Sequence, residues 1–597
     1  MKKTMITATA ALMLCGSPLQ AQQVKIGKSN IKLNQDTMTP EALWAMGRIG
    51  TIAASPDGKK IAYQVGYYSV EENKGHQILY VMDADGKNIK QLTTSDKNET
   101  DPSWLDNNTI AFLSGGQIWT TAVDGSKRSK LTSDKTDIEG FKFSPDRKKV
   151  IIIKSLPYYG SIKKNPSDLP KATGRLITDM NYRHWDHYVE SIPHPFVANV
   201  ASDGTIDEGT DVLKNEPYEC PMAPFGGIEQ IDWSKDSKFV AYTCRKKEGV
   251  KYAISTDADI YLYNVETHQT RNLCKDDADK ELLKEWAHAD STVDATKSMR
   301  NQSVDSKKFQ SLNVGYDVNP KFSPDGNYVA WQSMAHNGYE SDLNRLCIYD
   351  LRKHTKLYAT NAGNFDTNVD DYCWAPDSKS LYLTGVWHAT ERIWNVSVNG
   401  GTVRQITDDS YNDFGSIQML NGKQLLTTRH SMLHPDDIFI VTPSKKEKAS
   451  SVKQITDENK QIFDQLASAQ VEQRWVKTTD GKQELVWIIL PPHFDKTKKY
   501  PTLLYCEGGP QSPVSQFWSY RWNFSIMAAH GYVIVAPNRR GLPGFGSEWN
   551  EEVSRDWTGQ CMSDYLSAID DAVANLPYVD KDRLGAVGAS FGGFSVY

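Results

Sequence analysis

The chain has 597 residues, with 68 basic against 74 acidic side chains and a formal net charge of −6. That length exceeds one compact domain, and the mild acidity offers no electrostatic footprint for DNA or RNA. An aromatic content of 10%, with 16 Trp and 28 Tyr, separates it from disordered chains and suits a large β-rich protein.

In chain order, residues 1–21, "MKKTMITATAALMLCGSPLQA", place two lysines before a short apolar run and then small or polar residues. This is the pattern of a secretory signal ending at Ala21, and it predicts a periplasmic or secreted protein. A leucine directly before Cys15 fits lipoprotein processing poorly. No later apolar run is long enough to span a bilayer. Residues 22–50 read as an N-terminal segment with a short helix. Of the eight cysteines, seven follow the signal, and none forms a Cys-x-x-Cys pair, so zinc-finger and thioredoxin-like chemistry lack support.

Residues 51–470 repeat a turn followed by an apolar strand. "SPDGKKIAY" starts at Ser55, "SPDRKKVII" at Ser144, "SKDSKFVAY" at Ser234, "SPDGNYVAW" at Ser323 and "APDSKSLYL" at Ala375, with weaker copies at Trp104 and Leu420. Pro, Asp and Gly suit the tight turns that open such strands. Most steps between the anchoring residues Asp57, Asp106, Asp146, Asp236, Asp325, Asp377 and Asn421 are 40 to 52 residues, the length of a four-stranded propeller blade. The steps from Asp146 to Asp236 and from Asp236 to Asp325 are about twice as long, so each holds a hidden blade or an insertion. The polar, partly helical text after Lys275 makes the second an insertion. The expectation is a β-propeller of seven blades, with eight as the alternative.

From 471 to 597 the pattern changes to alternating apolar strands and helices, which predicts a mostly parallel sheet with helices on both faces. "QRWVKTTDGKQELVWIIL" reads as a hairpin, "YPTLLYC" and "YVIVAP" as buried strands, "FWSYRWNFSIMAAHG" and "CMSDYLSAIDDAVANL" as helices, and "RLGAVG" as a strand running into Ser590. Gly588-Ala589-Ser590-Phe591-Gly592 has the small neighbours that a nucleophile needs at a sharp strand-to-helix turn. "CEGGP" at 506–510 occupies the place of a loop that supplies the second oxyanion donor.

The Glu507-Gly508-Gly509-Pro510 loop, "NRRGLPGFG" at 538–546 and "GASFGGFSVY" at 588–597 resemble the prolyl oligopeptidase family of serine peptidases, and within it the dipeptidyl peptidases. "DLPKATGRLITDMNYRHWDHYVESIPHPF" (168–196) and "GGPQSPVSQFWSYRWN" (508–523) carry the likeness further, and it spans nearly the whole chain. The resemblance implies an N-terminal propeller before an α/β-hydrolase domain, Ser590 as acylated nucleophile, and an oxyanion hole from the amides of Phe591 and Gly509. It also implies an acid on the propeller side that holds the substrate's free amine, with Glu216, Glu219, Asp186 and Glu190 as candidates. In such hydrolases the acid and the histidine follow the serine in the chain, and no histidine follows Ser590 here. The hydrolase domain is therefore expected to be incomplete, with both partners beyond Tyr597 and this chain inactive by itself. His184, His187 and His194 near Asp186 match no metal-binding spacing, so neither a metal nor another cofactor is expected. The expected partners are peptides, with a homodimer open. An acylaminoacyl-peptidase, an oligopeptidase and a non-catalytic propeller that binds ligands are the alternatives.

Overall fold

The computed structural model describes residues 25–158, 162–163, 171–173, 176–177, 189–275, 279–290, 312, 314–444 and 450–597. Asp186, His184 and His187 lie outside them, as do residues 1–24.

Seven four-stranded antiparallel sheets succeed one another, spanning residues 48–91, 99–130, 138–211, 231–272, 317–358, 371–405 and 413–454. These are blades 1 to 7 of a propeller. Each repeated turn joins the first and second strands of a blade and is held the same way. Asp57, Asp146, Asp236 and Asp325 each accept a hydrogen bond from the backbone N–H two residues on, at 3.0–3.1 Å, and another from the hydroxyl of the serine two residues before. The long steps hold insertions and no eighth blade among the described residues. The first falls inside blade 3, between the strands Lys149–Pro157 and Ser191–Asn199, where a two-stranded ribbon pairs Ile162 with Ile177. The second follows blade 4 and carries the helix Asp279–Asp290.

Apolar side chains fill the spaces between neighbouring blades, so each sheet is buried on both faces. Indole groups join the blades in pairs. Trp104 Nε1 donates to Ala53 O, Trp233 Nε1 to Lys142 O and Trp374 Nε1 to Lys321 O, at 2.9–3.0 Å, linking blades 2 to 1, 4 to 3 and 6 to 5. Blade 7 meets blade 1 without sharing a strand. The Gln418 side chain closes that seam, accepting from Ala54 N at 3.1 Å and donating to Ile52 O at 2.9 Å.

Beyond the ring lie five strands, β1 (Gln470–Lys477), β2 (Gln483–Leu490), β3 (Tyr500–Cys506), β4 (Val533–Pro537) and β5 (Val579–Gly588), in the order β1-β2-β4-β3-β5. The sequence suggested a mostly parallel sheet. Only the β4–β3 and β3–β5 pairings are parallel, because the β1–β2 hairpin brings an antiparallel edge. Helix α1 (Phe524–Ala529) covers one face through Phe524 and Ala528, which pack with Trp487, Ile489 and Tyr505. The helical reading of 517–531 was too long, since the chain turns irregularly until Asn523 caps α1 by accepting from Ile526 N at 3.0 Å. Two more helices follow, α2 (Ser547–Glu551) and α3 (Gln560–Asn575), and α3 covers the other face through Tyr565, Ala568 and Ala572. Helix α4 (Phe591–Val596) leaves the end of β5 at Ser590.

The two halves meet through polar contacts and through apolar ones, with Ala389 and Met432 of the propeller packed into the cluster around Trp487. Ser547 binds Asp366 through both its N–H (3.0 Å) and its hydroxyl (2.6 Å), and Asn550 Nδ2 donates to Ser341 O at 2.9 Å. All seven described cysteines are free thiols.

Candidate active site

Ser590 stands between β5 and α4 with φ 55° and ψ −124°, a left-handed conformation that a side chain strains to adopt. The flanking glycines explain how the turn closes. A Cβ on Gly588 would lie 2.5 Å from Gly592 O and 2.7 Å from Cys506 O, and one on Gly592 would overlap Cys506 O outright. Hydrogen bonds from Gly592 N to Ala589 O (2.8 Å) and from Phe594 N to Ser590 O (3.0 Å) lock the turn. The tight strand-to-helix turn therefore requires glycine two residues before and two residues after Ser590.

Parallel pairing of β3 with β5 sets Cys506 opposite Gly588, so the 507–510 loop leaves the sheet beside the serine. A Cβ on Gly508 would sit 3.3 Å from Ala589 O and 3.9 Å from Ser590 Cβ. The Gly508 N–H already donates to Glu507 Oε1 at 3.0 Å, which makes Gly509, at φ 102°, the residue whose amide is available in this turn. Glu507 is half-buried, and burial raises its carboxyl above the ordinary range.

Gly509 also lines a cavity of about 500 Å³ between the domains. Across it lie Met222, Phe225, Arg245, Tyr316 and Glu340 of the propeller. Phe225, a large apolar side chain at the opening, is 84% exposed. Burial works against the Arg245 charge, and the Glu219 carboxylate supports it. Burial and the Glu340 charge both act to hold the Tyr316 hydroxyl protonated.

The acids named from the sequence separate in space. Glu219 is buried behind this cavity, facing Arg245. Glu216 is ion-paired with Lys246 at 2.5 Å, and Glu190 is exposed after the blade 3 insertion, where its carbonyl accepts from Tyr158 N. His194 is held by Asp211 at 3.1 Å, within blade 3. The last histidine in the chain, His530, ends α1, where Nδ1 meets Ile526 O at 2.8 Å.

Residue-level reading missed Arg245 and Glu340, which come from different blades and share no motif with the serine. It also missed the charged layer beneath the loop. There Arg540 pairs with Asp480 (2.6 Å), Glu552 (3.1 Å) and Asp564 (3.2 Å), and the adjoining Arg539 is wholly buried. The Arg540 guanidinium, through its hydrogen bonds, holds the Asp480 carboxyl well below its usual range.

The decisive comparison is with a dipeptidyl-peptidase 5 from Porphyromonas gingivalis, 44% identical over 94% of this chain and 76% of its own length. The chain belongs to the prolyl oligopeptidase family. A dipeptidyl-peptidase 5 from Porphyromonas endodontalis is 38% identical over the whole chain and 80% of its own length. A prolyl oligopeptidase family model matches residues 518–597, the stretch that contains α1 to α4 and Ser590. Among solved structures, a Pyrococcus horikoshii acylaminoacyl peptidase aligns with a TM-score of 0.67 at 16% identity, over 93% of this chain and 75% of that one. Porphyromonas gingivalis dipeptidyl peptidase 4 aligns with a TM-score of 0.53 at 16% identity, over 92% and 72%. These two share the fold of this prolyl oligopeptidase family member, a propeller followed by a hydrolase domain.

Proposed function

We propose that this family member takes part in releasing dipeptides from peptide N-termini through an acyl-enzyme on Ser590. Ser590 Oγ is the nucleophile, and the amides of Phe591 and Gly509 receive the charge that develops on the scissile carbonyl oxygen. The observation that carries the reading is the strained Ser590 turn placed against the Gly508–Gly509 loop, at the edge of a cavity whose far wall is the propeller. A cavity of this size admits a short peptide and excludes a folded protein.

An ammonium brought into such a cavity needs a carboxylate, since desolvating it alone is costly. Glu340 is exposed on the cavity wall and is the acid assigned here to the substrate amine, with the Glu219–Arg245 pair behind it. Glu216, committed to Lys246, and Glu190, on blade 3, are set aside on the same geometry. The leader read at residues 1–21 would bring the site to extracytoplasmic peptides.

Calorimetry with a tetrapeptide and its N-acetylated form tests the assignment. The free amine is expected to bind about tenfold or more tightly, an energy of about 1.4 kcal/mol, and Glu340→Gln to abolish that preference. Equal binding of both peptides by the unaltered chain would favour an acylaminoacyl-peptidase, in which Arg245 faces the acyl oxygen.

A further inference from the structure

The amides assigned to the oxyanion hole belong to two separate segments, one on the 507–510 loop and one on the nucleophile turn. Both rest on a single buried side chain. Arg539, at 0% exposure, sends Nη1 to Pro510 O at 3.2 Å and to Arg540 O at 2.6 Å. Its Nε donates to the Tyr565 hydroxyl at 3.2 Å, and that hydroxyl in turn donates to Glu507 O at 3.4 Å. The carbonyls at the two ends of the Glu507–Pro510 turn are thus drawn inward to one guanidinium and its tyrosine. Cζ of the same guanidinium lies over the Phe591 ring, 4.5 Å from its centroid, and Phe591 is the residue whose amide is the other donor. A rigid planar fork can hold two bonding directions and a stacking contact at once; a lysine ammonium cannot.

From this arrangement we infer that Arg539 is a positioning residue for the oxyanion hole, fixing the distance between the Gly509 and Phe591 amides. It touches no reacting atom. The inference rests on the proposed role of Ser590 and its two amide donors. Its physical content is separate, namely that the loop and the turn lose their fixed spacing when Arg539 goes. The position has little freedom to adapt, because a Cβ on Gly541 would come within 2.7 Å of Arg539 Nη1. Burial raises the carboxyls of both Glu484 and Glu507, and the nearby guanidinium acts on each in the opposite direction.

The test uses the full 597-residue chain and three variants, Arg539→Met, Arg539→Lys and Tyr565→Phe. Hydrogen exchange followed by mass spectrometry reads the loop directly and needs no turnover. Exchange in a peptide covering 507–512 is expected to quicken about tenfold or more in Arg539→Met and less in Tyr565→Phe, while peptides from blades 1 to 7 keep their rates. A second readout is affinity for a peptide boronate relative to the matching peptide amide. The boronate adds to Ser590 Oγ, forming a B–O bond and a tetrahedral borate anion as the hydroxyl proton passes to solvent. Arg539→Met is expected to reduce this ratio about 10²-fold, the scale on which a misplacement of about 1 Å acts, with amide binding unchanged. Arg539→Lys, which keeps the charge and loses the fork, is expected to restore little of it. Unchanged 507–512 exchange in Arg539→Met, in a variant that melts like the parent, overturns the inference. So does full rescue of the exchange rate by Arg539→Lys. Should the unaltered chain show no preference for the boronate, the nucleophile assignment fails, and the exchange result alone decides whether Arg539 spaces the two segments.

Discussion

Ser590 keeps a backbone conformation that its side chain disfavours, and the surroundings force it. Gly592 and Gly588 let β5, α4 and Cys506 O approach closely enough to hold φ at 55°. Strain of this kind costs about 1 kcal/mol or more at a non-glycine residue. Ser590→Gly is therefore expected to raise the unfolding free energy of the hydrolase half by about 1 kcal/mol while removing the nucleophile, as measured by urea denaturation. Gly592→Ala should have the opposite effect, since its methyl group overlaps the Cys506 carbonyl. Destabilisation by about 3 kcal/mol or more is the expected outcome, on the scale of overpacking in a closed site. A Gly592→Ala chain that melted like the parent would show that the turn relaxes without cost.

Among the elements, the blade turns account for how much the sequence disclosed. Ser-Pro-Asp-Gly text is legible because its job is local: the aspartate and serine satisfy backbone groups within the same turn, so the chemistry is written in six consecutive residues. The nucleophile turn is legible for the same reason. What joins blade to blade is not local. Trp233 finds Lys142 O across 91 positions, and no spacing rule links the two. The cavity wall that combines Arg245, Glu340 and Gly509 is hidden in the same sense, as is the reach of Arg539 to Pro510. The overlong helix at 517–531 failed for a different reason, because aromatic residues that pack under α1 imitate a helical stripe. The pairing of blades 3 and 4 through Trp233 invites a direct check. Trp233→Phe keeps most of the apolar bulk and leaves Lys142 O without its donor. It should cost about 1–3 kcal/mol in the propeller transition, whereas an unchanged midpoint would make the indole bond dispensable.

Over the whole molecule, the propeller buries carboxyl groups that respond to pH. Burial raises Asp317 to about 7, although Ser333 and Trp331 Nε1 hydrogen bonds oppose the shift. Burial likewise raises Asp437 to about 7. An acid whose folded pKa lies above its unfolded value of about 3.9 binds its proton more tightly in the folded state. Their stabilising contribution is therefore complete below about pH 4 and is lost as pH climbs through about 7. His430 behaves in the same sense at higher pH. Burial opposes its charge, but Asp413 and Asp436 outweigh it and raise the imidazole to about 10. Its contribution is complete below about pH 6.5 and is lost as pH approaches 10. Thermal melts should show a steadily falling midpoint from pH 5 to 8, with Asp317→Asn flattening the slope; an unchanged slope in that variant would remove Asp317 from the account.

The seam between blades 7 and 1 has a consequence for how the molecule assembles. Gln418 joins residues more than 360 positions away, and nearby Asn459 clasps both the N–H and the carbonyl of Gly47 at 2.8 Å across 412 positions. Every other junction in the ring is made between consecutive blades, each available as soon as its neighbour exists. The ring is therefore a linear array of seven units until its ends are fastened by these amides, by the Tyr67 hydroxyl on Glu458 and by the packing of Ile52 and Ile61 with Leu420, Leu426 and Ile440, and loop-closure entropy makes that fastening the last step to become favourable. Folding would zip from blade to blade in either direction, as in an open solenoid, and only the final clasp would convert local order into a single cooperative body.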